Sequence, residues 1–246
     1  QVTSRARLPA LRRLSRGAAM TEDAPHYHGH RQRLRERFAK DNGASLHDYE
    51  LLELYLFTLI PKRDVKPLAK ELIAAFGDLG GVAAAPMEQL VAIKGVGDTV
   101  ATGLKLLLAI SGRMAREGII GKPVVSSWSA LVNYCRTAMQ HARTEEFRVL
   151  FLDKKNKLIA DEVLGRGTVD HAPVYPREVL KRALAHEASA LILVHNHPSG
   201  DPTPSGADVT MTKAIAEAAK PFDIVLHDHL VIGRETTASF RTLGLL

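Results

Sequence analysis

The stretch from Leu191 to Asp208 (LILVHNHPSGDPTPSGAD) holds the residues whose types and spacing best suit chemistry. His195 and His197 stand two apart at the end of an apolar run. On a strand, both rings would leave the same face and could bind one ion. Pro198, Pro202 and Pro204 stiffen the loop that follows, which limits the entropy lost in presenting a ligand. Ser205 and Asp208 are three apart in what reads as the first turn of a helix, so they share one side of it. Two imidazoles and one carboxylate fill three positions of a tetrahedral zinc and leave the fourth to water, the open arrangement of a catalytic site. Each piece also has an ordinary reading. The His-x-His pair suits two satisfied polar residues, Ser205-x-x-Asp208 a capping-box relative, and Asp201-Pro202 a plain turn. The conjunction of strand end, stiff loop and helix start is what points to a metal.

Other motifs fall short. His186-Glu187 opens like a helical H-E-x-x-H zinc site, but Ala190 stands where the second histidine is needed. A nucleobase deaminase needs H-x-E followed by P-C-x-x-C, and Cys135 is the chain's single cysteine. His26, His28 and His30 precede the first ordered helix and read as incidental. His227 and His229 alternate on one side of a strand and are not expected to be ligands.

The elements that must position the motif follow an α/β grammar. Ser127 is the expected N-cap of a helix running to about Gln140. Phe147 to Leu152 suits a strand covered on both faces, paired with Leu158 to Leu164 across a polar turn. Arg177 to His186 reads as a helix, Leu191 to Val194 as a short buried strand and Ser205 to Ala219 as a helix. Ile224 to Ile232 supplies one or two closing strands. That alternation implies a layered α/β fold with a mixed sheet.

The preceding half is helical in periodicity. Arg31, Arg33, Arg35 and Arg37 mark a basic first helix, and Leu46 to Leu59 a second, ended by Pro61. Val65 to Phe76, Pro86 to Ile93 and Asp98 to Ile110 follow. Lys94, Gly95, Val96 and Gly97, between the last two, look like a helix-hairpin-helix turn, whose exposed N–H groups suit a phosphate without reading base sequence. Asp98 and Val100 depart from the small or basic residues expected of a DNA binder, so a hairpin kept for packing stands beside weak DNA binding. The expected organisation is a leader without order at 1–25, a helical domain at 26–116, a linker at 117–125 and the α/β domain at 126–246.

Composition supports a globular chain: 246 residues, 46% hydrophobic and 24% charged. No run of 18 apolar residues is present, so no membrane span and no membrane partner are expected. With one cysteine, a disulfide framework is excluded and a reducing, cytoplasmic compartment is the simplest reading. The net charge of +6 arises mainly in residues 1–20, which carry Arg5, Arg7, Arg12, Arg13 and Arg16 and no acid. That segment resembles a transit peptide in composition, or else precedes a natural start at Met20.

The spacing His195-x-His197, seven residues, Ser205, two residues, Asp208 resembles the JAMM metalloprotease motif of MPN domains at every position. The segment HNHPSGDPTPS, with YPRE at 175–178 and Asp228-His229, is similar to the bacterial RadC family from about Gly29 to the C-terminus. The resemblance implies an MPN-type α/β domain and a zinc hydrolase that cuts amide or isopeptide bonds in a protein or peptide. His195, His197 and Asp208 would be its ligands, and Ser205 would hydrogen-bond the oxyanion. Glu145, two residues before the aromatic Phe147, would be the general base. Two other readings stay open: a DNA-binding accessory protein in repair or recombination with a structural or unused metal site, and an adaptor that uses the MPN surface.

Overall fold

The computed structural model describes residues 27–167 and 174–246, and the leader at 1–25 and His26 lie outside them. The described residues divide into two compact units, the first ending at Leu46 and the second running from His47 to Leu246. In the first unit, α1 (Tyr27–Asp41) carries the expected basic run Arg31, Arg33, Arg35 and Arg37. It ends where the Asp41 carboxylate accepts hydrogen bonds from the N–H groups of Gly43 at 2.9 Å and Ser45 at 3.1 Å.

The second unit opens with five helices: α2 (Asp48–Leu59), α3 (Lys66–Phe76), α4 (Leu79–Ala84), α5 (Met87–Ala92) and α6 (Asp98–Glu117). Gly77 ends α3 in a left-handed conformation, φ 93°, a turn that costs glycine little. α4 runs through Gly80-Gly81, a dipeptide with poor helix propensity, and was not expected. It forms because Asp78 caps it, accepting from the Gly81 N–H at 2.6 Å, and because the chain passes too close for side chains. A Cβ on Gly81 would lie 2.1 Å from the Phe76 carbonyl oxygen, and one on Gly80 would lie 2.3 Å from His141 Nε2. At its other end, Lys105 Nζ from α6 donates to the carbonyls of Ala84 at 2.9 Å and Ala85 at 3.0 Å. α6 runs seven residues past the expected Ile110. The stretch read as a linker packs instead: Ile119 and Val124 are buried, and isolated bridges join Ile120 to Leu158 and Pro123 to Lys157.

Next come α7 (Trp128–Met139), β1 (Glu146–Leu152), β2 (Leu158–Arg166), α8 (Pro176–Ala185), β3 (Ala190–Asn196), α9 (Gly206–Ala219), β4 (Val225–Ile232) and β5 (Thr237–Ser239). Ser127 does not cap α7 with its side chain, because its hydroxyl donates to the Pro123 carbonyl at 2.8 Å. The strands form one mixed sheet in the order β2-β1-β3-β4-β5, with β3 and β4 parallel and the other pairs antiparallel. Alternation sorts the central strands onto two cores. Leu150, Leu152, Ile192 and Val194 pack with Leu131, Cys135 and Met139 of α7. Phe147, Val149, Phe151, Leu191 and Leu193 pack with Val179 and Ala183 of α8 and with Ile215 of α9. Every residue of β3 is buried, which is why its sequence reads as an unbroken apolar run until His195. Each large aliphatic side chain so buried contributes about 1.5–3 kcal/mol, so the strand that carries the histidines is firmly held.

Candidate metal centre

β3 delivers His195, Asn196 and His197 at its C-terminal end, and β1 lies antiparallel beside it with Phe147 opposite His195. The Phe147 ring stacks on His195, centroids 6.3 Å apart, on the α9 side of the sheet. His197 follows the last strand residue and is anchored by its N–H to the Ile232 carbonyl at 3.0 Å. Its Nδ1 lies 2.7 Å from the Asp201 carbonyl, which can only accept. The His197 proton therefore sits on Nδ1, and Nε2 presents a lone pair. Asp201 makes the turn expected of it, accepting from the Thr203 N–H at 2.9 Å and hydroxyl at 2.7 Å.

Asp208 occupies the first turn of α9. Its Oδ2 accepts from the Ser205 N–H at 2.7 Å and hydroxyl at 2.6 Å, and its own N–H donates to Ser205 Oγ at 3.2 Å. The capping box is thus present, and it holds the Asp208 carboxylate beside the two histidines. Asp208 Oδ1 lies 3.4 Å from His195 Nε2, Oδ2 lies 3.5 Å from His197 Nε2, and the two Nε2 atoms are 3.0 Å apart.

These separations suit a zinc ion. Ligand bonds of about 2.0–2.1 Å in a tetrahedron hold neighbouring donor atoms roughly 3.3 Å apart. Among the described residues, His195, His197 and Asp208 are the one group of three or more metal-ligating side chains, with ligand atoms all within 4.8 Å of one another. His30 belongs to no such group. The electrostatics agree with a cation site. Burial would raise the Asp208 carboxyl, but the two imidazoles beside it and the Ser205 hydroxyl that donates to it outweigh burial and hold the carboxyl well below its usual range. The neighbouring Asp208 carboxylate favours the charged form of His197 and raises it in turn.

Glu145 precedes β1 and is buried, not solvated. It lines one cleft of about 640 Å³ with His197, Ser205 and Asp208. Asn196 helps to hold it there, a role that the sequence did not disclose. The Asn196 side chain accepts from the Glu146 N–H at 2.9 Å and donates to the Thr144 carbonyl at 3.1 Å, while the Glu145 carbonyl accepts from Gly167 N–H at 2.9 Å. The backbone of Glu145 is clamped on both sides. Phe76 of α3, Ala84 of α4 and Ala85 just after it form another wall of the cleft, and Arg143 and Arg234 stand at it as well. The helical half thus helps to build the site.

Residues two apart on β4 fare differently. His227 bonds the Asn156 side chain at 2.7 Å, away from the metal group. His229 is fully buried, and its Nε2 lies 2.8 Å from His195 Nδ1. In the hairpin, Lys94 and Gly97 are exposed, whereas Val96 and Val100 are buried. Val100 is therefore a packing position and not a missing phosphate contact. Gly95, φ 100°, makes the turn, and its carbonyl accepts from Arg63 at 3.2 Å.

A five-stranded mixed sheet flanked by helices, with a His-His-Asp group at the end of its central strand, defines a JAB-type (MPN) domain. Residues 125–245 match the family model described as RadC-like JAB domain, and residues 28–102 match UPF0758 N-terminal. The chain is 58% identical over 217 residues to a UPF0758 protein of Ruegeria pomeroyi, covering 88% of this chain and 97% of that one. It is 59% identical over 213 residues to a UPF0758 protein of Rhodobacter capsulatus, covering 87% and 100%. The chain belongs to the RadC family. Among its described residues, no helix is long and apolar enough to cross a membrane.

Proposed function

We propose that this protein is a zinc-dependent hydrolase of peptidase or isopeptidase type. The observation that carries the reading is that Glu145 lines the same cleft as a three-ligand group with an open side. His195, His197 and Asp208 would hold the ion, which supplies Lewis acidity where water and the scissile carbonyl meet. Glu145 takes the proton of the attacking water as the new C–O bond forms. It then returns that proton to the amine nitrogen as the C–N bond breaks. Ser205 donates to Asp208 in the resting site, and its hydroxyl would turn to the oxyanion as charge develops there. The cleft takes an extended protein or peptide segment between the strand end and the α3–α4 wall. Zinc content, measured by emission spectroscopy, is expected near one per chain in the wild type and close to nil in His197→Ala. Equal zinc in both would sink the assignment. A screen on peptide and isopeptide substrates would then find the scissile bond.

The exposed hairpin favours a second, compatible reading. Lys94, Gly97 and the first N–H groups of α6, which lack a side-chain cap, suit a phosphate, while Asp98 opposes it. Weak DNA binding without sequence preference is expected, falling as salt rises. Fluorescence anisotropy with several duplexes at low salt tests it. No binding would leave the hairpin as packing.

A further inference from the structure

A buried chain of hydrogen bonds runs from one candidate ligand to another. His195 Nδ1 lies 2.8 Å from His229 Nε2, His229 Nδ1 lies 2.6 Å from Thr212 Oγ1, and Thr212 Oγ1 lies 2.6 Å from the Asp208 carbonyl oxygen. His195, His229 and Thr212 are all fully buried, so water does not replace any link. The carbonyl end sets the direction. Two oxygens 2.6 Å apart repel unless a proton lies between them, and a carbonyl only accepts, so the single Thr212 proton points to Asp208. The hydroxyl must then accept from His229 Nδ1–H. That leaves His229 Nε2 bare, to accept from His195 Nδ1–H. His195 Nε2 consequently keeps its lone pair and presents it to His197 and Asp208.

The opposite polarity would place a proton on His195 Nε2, where a metal must bind. Nor can the His229 ring turn aside, because Phe240 stacks on it at 4.5 Å and Phe147 meets it edge-on at 5.7 Å. Its backbone is held by the Asp228 carboxylate, which accepts from the N–H groups of His229 at 2.7 Å and Arg241 at 3.0 Å and from the Ser239 hydroxyl at 2.6 Å.

We propose that Thr212 and His229 are positioning residues that fix the tautomer of His195, and so hold its Nε2 ready for the ion. The inference rests on the zinc reading above. It gives the Asp228-His229 pair a role without making either residue a ligand.

Two measurements test it, neither of which needs activity. In the metal-free wild type, nitrogen NMR of the histidine rings should find the His229 proton on Nδ1 and the His195 proton also on Nδ1. A His229 proton on Nε2 overturns the proposal, whatever happens to any variant. The second measurement is zinc affinity by competition with a chelator. Thr212→Val keeps the shape but removes the hydroxyl, and should bind zinc about 10–100-fold more weakly, the usual cost of losing a partner behind a ligand. Thr212→Ser should restore affinity to within a few-fold of wild type. Wild-type affinity in Thr212→Val, or an equal loss in Thr212→Ser, overturns the relay alone. Absence of zinc from the wild type overturns the hydrolase reading with it. Should Thr212→Val fail to fold, the ring tautomers of the wild type still decide.

Discussion

Glu145 and Glu146 are neighbours in sequence, yet they join two buried polar groups of opposite character. Glu146 belongs to the α7 side of the sheet. There Arg148 donates to Glu146 at 2.8 Å, to Asp161 at 2.7 Å and to the Tyr134 hydroxyl at 3.0 Å, and Tyr134 donates to Asp161. Burial works against the Arg148 charge, but Asp161, Tyr134 and Glu146 together outweigh it and hold the guanidinium charged. Burial also pushes the Tyr134 hydroxyl well above its usual range, so its proton stays. Charge meets charge in this group, although Arg148 Nε lacks a hydrogen-bond partner. On the other side, Glu145 faces a cleft where two imidazole nitrogens and a carboxylate converge on one point, with the His195 and His197 protons directed away from it. The first group spends its polarity on itself and is structural. The second leaves lone pairs over, which is what a cation requires.

The comparison can be broken from either side. Asp161→Ala would strip Arg148 of its closest charged partner in a buried position, and should lower stability by about 3 kcal/mol in urea unfolding while zinc content holds. If stability is unchanged, the α7-side group is not structural. Glu145→Ala should do the reverse, keeping fold and zinc but losing hydrolysis on the order of a hundredfold or more, as when a positioned base is removed. Retained activity in a cleavage assay under saturating zinc would return the protein to a scaffold. Asn196→Ala sharpens the contrast by loosening Glu145 without touching a ligand. Roughly tenfold slower turnover is expected, with zinc still bound, since small misplacement of a catalytic group is costly. Unchanged turnover would show that Glu145 needs no such clamp. The smallest effect belongs to Glu146→Ala, which should cost about 1 kcal/mol, the worth of a hydrogen-bonded partner, and leave catalysis alone. Were Glu146→Ala the inactive variant, the roles of the two glutamates would be exchanged.

His195, His197, Ser205 and Asp208 lie within fourteen residues, so the chain itself determines most of their geometry. Strand alternation aligns the rings, proline stiffens the loop, and the capping box sets Asp208 in the first helical turn. The strands and helices of the α/β half were legible for the same reason, because period and punctuation are local. α4 was not, since its Gly80-Gly81 opening contradicts helix propensity and only the Asp78 cap, the Lys105 clamp and close packing override it. The three-residue β5 is too short to carry a period, and the packed stretch 117–125 has the glycine and proline of a linker. What surrounds the site came from tertiary structure alone. His229 reaches His195 across 34 positions, and Asn196 reaches Thr144 across 52. Those contacts exist because β3 lies between β1 and β4 in one particular register, and a one-residue slip would send each side chain to the opposite face. Residue types and spacing determined which atoms can bind an ion; only strand order and register decided which way their protons point.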